Sequence, residues 1–353
     1  MSDDANTPGL PGPPAPADLP PSPAEATATA PPPPEVLKPP RLLGAIAVTL
    51  LGLAVALGFQ FIGGFFIGVV GGIKAALTPG NHGPGGIEDL LRAPLFATLM
   101  ILLTECGLLL TALAAAGRYR LSRREQFGLA RPAITARAYV AFVLGTLLVA
   151  LLGSVLATPV TMLLDTDDSI DVLRQAMGPL EAVLFVLVIA IAPGIIEELF
   201  VRGYIQRRLL RRMRPGWAIA WSSVLFALLH LEPVHVVFTL PIGVWLGIIA
   251  WRTGSIWPGV LCHTALNGLW NVWFIAVTQE AIHPVAARVT SLGIMLLALL
   301  GFAVSVLILA RLKPPMPAGP SVFLPQARPV WPSAAAGSPP PAIQGDKPAA
   351  PTI

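Results

Sequence analysis

With 353 residues, 54% of them hydrophobic, only 12% charged and a mean hydropathy of +0.72, the chain reads as a membrane protein. Soluble domains carry about 25% charged residues, and the shortfall excludes that class. The net charge of +4 says little alone because the basic residues are clustered, and no nucleic-acid partner is expected.

Residues 1–40 lack the basic start of a cleavable signal peptide. Like residues 313–353, they are rich in Pro, Ala, Ser and Thr without helical or strand periodicity, so both ends read as disordered tails. The run Pro31–Pro34 suits an aromatic groove on a partner, although a solvated tail is the usual reading. Between the tails, residues 41–312 read as an all-α, polytopic bundle of about eight transmembrane helices. The spans are 42–72, 95–116, 138–162, 179–205, 216–231, 234–251, 256–278 and 289–312. The fifth is short for a hydrocarbon core of about 30 Å and is interrupted by Glu232-Pro233, so it is expected to end inside the membrane or to line a wet cavity.

Arginine recurs on every second connection: Arg118 to Arg137, Arg207 to Arg214, Arg252, and Arg311 with Lys313. The intervening loops are acidic or nearly neutral, notably Asp165, Asp167, Asp168 and Asp171. This is the positive-inside pattern of a multi-pass inner (cytoplasmic) membrane protein with both termini cytoplasmic. The run 207–214 reads as a topology anchor on anionic lipid head groups. Trp245, Trp251, Trp257, Trp270 and Trp273 read as interfacial or lipid-facing. Cys106 and Cys262, the only cysteines, lie in apolar runs and read as core packing, with no disulfide framework available.

Ionisable groups inside hydrocarbon are costly and stay only where they are paired, hydrated or working. Three groups stand out: Glu197-Glu198-x-x-x-Arg202, Phe226-x-x-x-His230 and His263-x-x-x-Asn267. Each pairs positions i and i+4 on one helical face. Glu198 can pair with Arg202 along its own helix, while Glu197, rotated by about 100°, faces a neighbour. Glu197 and His230 lie nearly equidistant from the turn at Arg214, roughly 25 Å away, which puts them at one depth; His263 and Asn267 fall about 14–20 Å into their span. A carboxylate and a histidine in such a layer can activate water, and a second histidine with an asparagine amide can stabilise an oxyanion. Two histidines and a glutamate can equally hold zinc, although no His-Glu-x-x-His helix is present.

These three motifs, in order and in membrane helices, resemble the CPBP family of intramembrane endopeptidases (the CAAX-protease and bacteriocin-processing, or Rce1-like, family). The resemblance covers roughly residues 179–278. It implies that Glu197 and His230 hold the attacking water, that His263 and Asn267 stabilise the oxyanion, and that Glu198 with Arg202 buttresses the site. Val201 stands where relatives often have phenylalanine. The family is usually labelled metalloprotease, yet a glutamate-activated water fits it too, so zinc and a metal-independent route both stay open. The implied substrate is a membrane-associated peptide or protein cut near its end.

Blander assignments exist for each residue. Glu198–Arg202 alone reads as a structural ion pair, Asn267 as interhelical glue, and a lone His263 as a packed histidine. Phe226 reads as packing, and His82, His235 and His283 as solvated loop residues, with His235 singled out because it follows the break at Pro233. A proton-coupled transporter would also carry intramembrane Glu and His, but no repeat of the motif spans supports it. A non-catalytic immunity or scaffold protein on the same fold is the remaining alternative.

Overall fold

The structure, a computed structural model, describes residues 42–77, 94–117, 122–164, 174–175 and 177–314. The run Pro31–Pro34, nearly all of both Pro-rich tails, His82 and the acidic residues 165–171 lie outside them. Every regular element among the described residues is helical: α1 (Leu42–Leu77), α2 (Pro94–Ala116), α3 (Arg123–Phe127), α4 (Ala136–Leu164), α5 (Pro179–Leu210), α6 (Pro215–Leu228), α7 (Pro233–Thr253), α8 (Trp257–Thr278) and α9 (Pro284–Arg311). Among the described residues, 7 helices are long and apolar enough to cross a membrane, which makes this a multi-pass membrane protein. At 14 residues α6 is too short, as the interruption at Glu232-Pro233 anticipates.

The helix boundaries follow from local chemistry. Pro179, Pro215, Pro233, Pro258 and Pro284 each occupy the first turn of a helix, where a missing N–H costs nothing and the fixed φ is already helical. The Glu232 carboxylate accepts the N–H groups of Val234 (2.9 Å) and His235 (2.7 Å), capping α7. Gly128 and Gly254, both at φ 67°, close α3 and α7 in the left-handed conformation that glycine adopts without strain.

α1 packs on α2, α2 on α5, α5 on α8, α8 and α7 on α4, α6 on α7, and α9 on α4. Two apolar clusters result. One joins Leu108 of α2, Phe127 of α3, Phe200 and Tyr204 of α5, and Phe226 of α6. The other joins Phe142 of α4, Trp245 and Ile249 of α7, Cys262 and Leu266 of α8, and Leu309 of α9. Polar bonds cross from the first cluster to the second: Arg202 Nη2 donates to the Gly243 carbonyl (3.1 Å) and Gln206 Nε2 to that of Gly247 (2.8 Å). Apolar burial between helices drives little association in lipid, so close packing and such bonds carry it. Outward residues of α1, among them Phe61, Phe65 and Phe66, are exposed, as a lipid-facing surface requires.

Three expectations need correction. Cys106 is exposed and only Cys262 is buried, because α2 turns the Glu105 side, not the Cys106 side, inward. Trp245 is buried between α7 and α4, where its indole N–H finds Thr146 Oγ1 at 3.0 Å. The arginine run is also more than a lipid anchor: Arg207 donates to the Gly254 carbonyl (3.2 Å), and the Arg208 guanidinium lies 3.5 Å from the Tyr204 ring centroid.

Candidate active site

Pro193 sits one turn before the two acids and has no N–H to give the Ile189 carbonyl. That carbonyl instead accepts the amide of Asn267 on α8, Nδ2 to O 3.0 Å. The proline thereby turns a backbone break into an α5–α8 cross-link. Close approach of the two helices depends on Gly194, where an added Cβ would press to 3.0 Å from the Thr264 backbone nitrogen. After Glu198 the helix continues as a π-helix over Leu199–Gln206. Its wider turn is uncommon and concentrates at functional sites.

Glu198 is fully buried. Its Oε1 lies 2.9 Å from Arg202 Nη1 and 3.3 Å from His263 Nδ1. Arg202 is equally buried and stands 4.3 Å over the Phe226 ring. A Cβ on Gly259 would sit 2.7 Å from Glu198 Oε2, so glycine at that position makes room for the carboxylate. A buried charge left without its partner destabilises by several kcal/mol, about 3–5, which is why this pair is closed on all sides.

Glu197 points to the other side. Its Oε2 is 3.8 Å from His263 Nε2, beyond hydrogen-bond range and close enough for both to hold one small molecule between them. His263 thus presents one ring nitrogen to each acid. His230 Nδ1 faces the Phe226 carbonyl at 3.2 Å, and the charge of Glu197 reaches its ring. The next residue, Leu231, takes φ 59°, a strained setting for a branched residue, and this tight turn fixes where His230 stands. Phe226 meets both imidazoles edge-on, at 5.2 Å from His230 and 6.0 Å from His263 between centroids. It is packing, as expected, but packing that sets the spacing of two histidines.

Glu197, His230, His263 and Asn267 line one cavity of about 340 Å³. The same cavity is also lined by Glu105, Arg174 and Asn271, which the motifs did not reveal. Glu105 of α2 is buried and lines the cavity together with Glu197. Arg174 Nη2 donates to Asn271 Oδ1 at 3.0 Å, and Asn271 extends the His263–Asn267 row by one more turn. The signals were present: Glu105 is a lone acid in an apolar run, and Asn271 follows Asn267 at i+4. His235, half exposed, pairs with Glu232 at 2.6 Å on the cavity rim, and Trp270 lines the cavity wall instead of facing lipid. His283 caps α9 by accepting the Val285 N–H at 3.3 Å.

Zinc binding needs ligand atoms converging at about 2.0–2.2 Å on one point. Among the described residues no three His, Cys, Asp or Glu side chains are grouped to do so. His263 directs Nδ1 to the Arg202-paired acid, and His230 directs Nδ1 to its own backbone. In this arrangement the described donors are not gathered around one point.

Residues 179–269 match the family model described as type II CAAX prenyl endopeptidase Rce1-like. That segment is an Rce1-like domain. No curated protein and no solved structure matches the chain. The Rce1-like family is a protease family, and its model begins at the first residue of α5 and ends within α8, so it takes in all three motifs. Glu105 and Arg174 lie outside the matched segment.

Proposed function

We propose that this Rce1-like protein is an intramembrane endopeptidase that hydrolyses a peptide bond near the end of a membrane-associated peptide or protein. The observation that carries the reading is the division of labour between adjacent acids. Glu198 is consumed by Arg202, whereas Glu197 faces a water-accessible cavity with His263 Nε2 at 3.8 Å.

In this mechanism a water held by Glu197 and His230 gives its proton to the Glu197 carboxylate as its oxygen attacks the scissile carbonyl carbon. The tetrahedral oxyanion accepts hydrogen bonds from His263 and from the Asn267 amide, which is prepositioned by its bond to Ile189. Collapse breaks the C–N bond, and the leaving amine takes the proton from Glu197. Glu198 and Arg202 position His263 without touching the reacting atoms. No step is routed through a metal.

The test is cleavage of a membrane peptide by the purified full chain. Glu197→Ala is expected to lower the rate by roughly 10²–10⁴-fold, the range for a lost general base, while circular dichroism stays that of the parent. Cleavage at the parental rate would overturn the reading.

A further inference from the structure

His263, Asn267 and Asn271 recur every four residues on α8 and line the cavity as one row, about 12 Å long at 1.5 Å per residue. Glu197 stands at the His263 end of that row, 3.8 Å from Nε2. Arg174 stands at the Asn271 end, with Nη2 at 3.0 Å from Oδ1. Among the described residues that line the cavity, Arg174 is the one arginine or lysine. The cavity therefore offers a carboxylate towards one end and a guanidinium towards the other.

Arg174 is held firmly for a residue outside the long helices. It is 9% exposed, and its guanidinium lies 5.0 Å from the Phe274 ring centroid. Its backbone carbonyl accepts the Gln279 amide at 2.9 Å, and the same amide donates to the Met177 carbonyl at 3.0 Å. The last turns of α8 and the residue that follows them thus fix both its main chain and its side chain. A guanidinium carries five N–H donors in a planar fork that fits a carboxylate two at a time, and the bond to Asn271 uses one of them. Ile101, Phe185, Ile189 and Trp270 give this cavity apolar walls. In such surroundings a charge-assisted hydrogen bond is stronger than in water.

We infer that Arg174 receives the free C-terminal carboxylate of the peptide whose bond Glu197 attacks, and so selects a chain end over an internal segment. The inference rests on the hydrolase reading for the reaction, but not for the binding. An extended chain covers at most about 3.3–3.6 Å per residue, so roughly three or four residues bridge the row from His263 to Asn271. Arg174 is then a specificity residue that touches no reacting atom. It holds the peptide equally in the ground state and the transition state, which puts its effect in KM and leaves kcat little changed.

The test offers the purified full chain one fluorogenic membrane peptide in three forms: with a free C-terminal carboxylate, with a C-terminal amide, and as an amide whose last residue is aspartate. The parent is expected to cleave the free acid with kcat/KM about 10-fold or more above the plain amide, the difference lying in KM. Arg174→Gln is expected to cut both forms at the amide's rate, and Arg174→Lys to keep part of the preference. Equal KM for acid and amide in the parent overturns the inference without any variant. An aspartate-ended amide that matches the free acid also overturns it, because the site would then read any carboxylate and not a chain end. Binding is measured apart from cleavage by fluorescence anisotropy of the same peptides on Glu197→Ala. There the acid is expected to bind about 10-fold more tightly than the amide, and adding Arg174→Gln is expected to erase the difference. No cleavage by the parent overturns the hydrolase reading, and the anisotropy still decides Arg174: an acid preference that needs it supports the inference, and equal binding of the two forms overturns it.

Discussion

Glu105 and Glu197 show how much a single residue outside a motif can contribute. A hydrogen bond to a charged group is worth about 1.5–3 kcal/mol, or roughly 10–100-fold in a rate that depends on it. Glu105→Ala removes a buried polar group from the cavity wall shared with Glu197, so kcat is expected to fall by up to that factor with KM little changed. Glu105→Gln keeps a polar group of the same shape and is expected to recover most of the loss, while shifting the acid side of the pH–rate profile because one titratable group has left the cavity. Steady-state kinetics of both variants across pH decide it, and an unchanged profile in Glu105→Gln would remove Glu105 from the site. At this scale the sequence was informative for residues that repeat at i and i+4, such as Glu198 with Arg202, whose ion pair the structure contains at 2.9 Å. It marked Glu105 as a lone acid in an apolar run but gave no partner for it or for Arg174, because their significance depends on which helices stand beside α5 and α8. No spacing within one helix encodes that.

The element scale is governed by places where a helix departs from regularity. Span boundaries were legible to within a few residues because apolar run length and first-turn prolines state them openly. The π-helical turn after Glu198 and the use made of Pro193 were not, since both are settled by partners on α8 and α7. Pro193→Ala offers a prediction with two signs. Alanine restores an N–H one turn below the Ile189 carbonyl, and that carbonyl then has a helical partner competing with Asn267. Thermal stability of the detergent-solubilised chain is expected to hold or rise, since proline inside a helix costs about 3 kcal/mol and alanine costs none. Cleavage is expected to fall at least several-fold, because the Asn267 amide loses its anchor and with it the fixed donor for the oxyanion. A variant that is stabler and equally active would show that the Asn267–Ile189 bond is structural glue alone.

For the whole molecule, the matched domain and the working unit are different things. The Rce1-like segment supplies α5 to α8, yet α4 covers α7 and α8 from one flank and α2 brings Glu105 to Glu197 from the other. α1 and α9 lie outside these, packed mainly on α2 and on α4, with broad apolar faces left to lipid. Folding in a bilayer proceeds by insertion of helices that are stable singly and then associate through packing and polar bonds. A chain cut between α4 and α5 therefore separates two sets of insertable helices. Residues 1–170 and 171–353 expressed together are expected to co-purify and to restore at least a tenth of the parental cleavage rate. The second fragment alone carries every motif residue but lacks Glu105 and the α4 support, and it is expected to be inactive. Activity in that fragment by itself would mean that the three motifs suffice, and that the contacts of α2 and α4 around Glu197 add only stability.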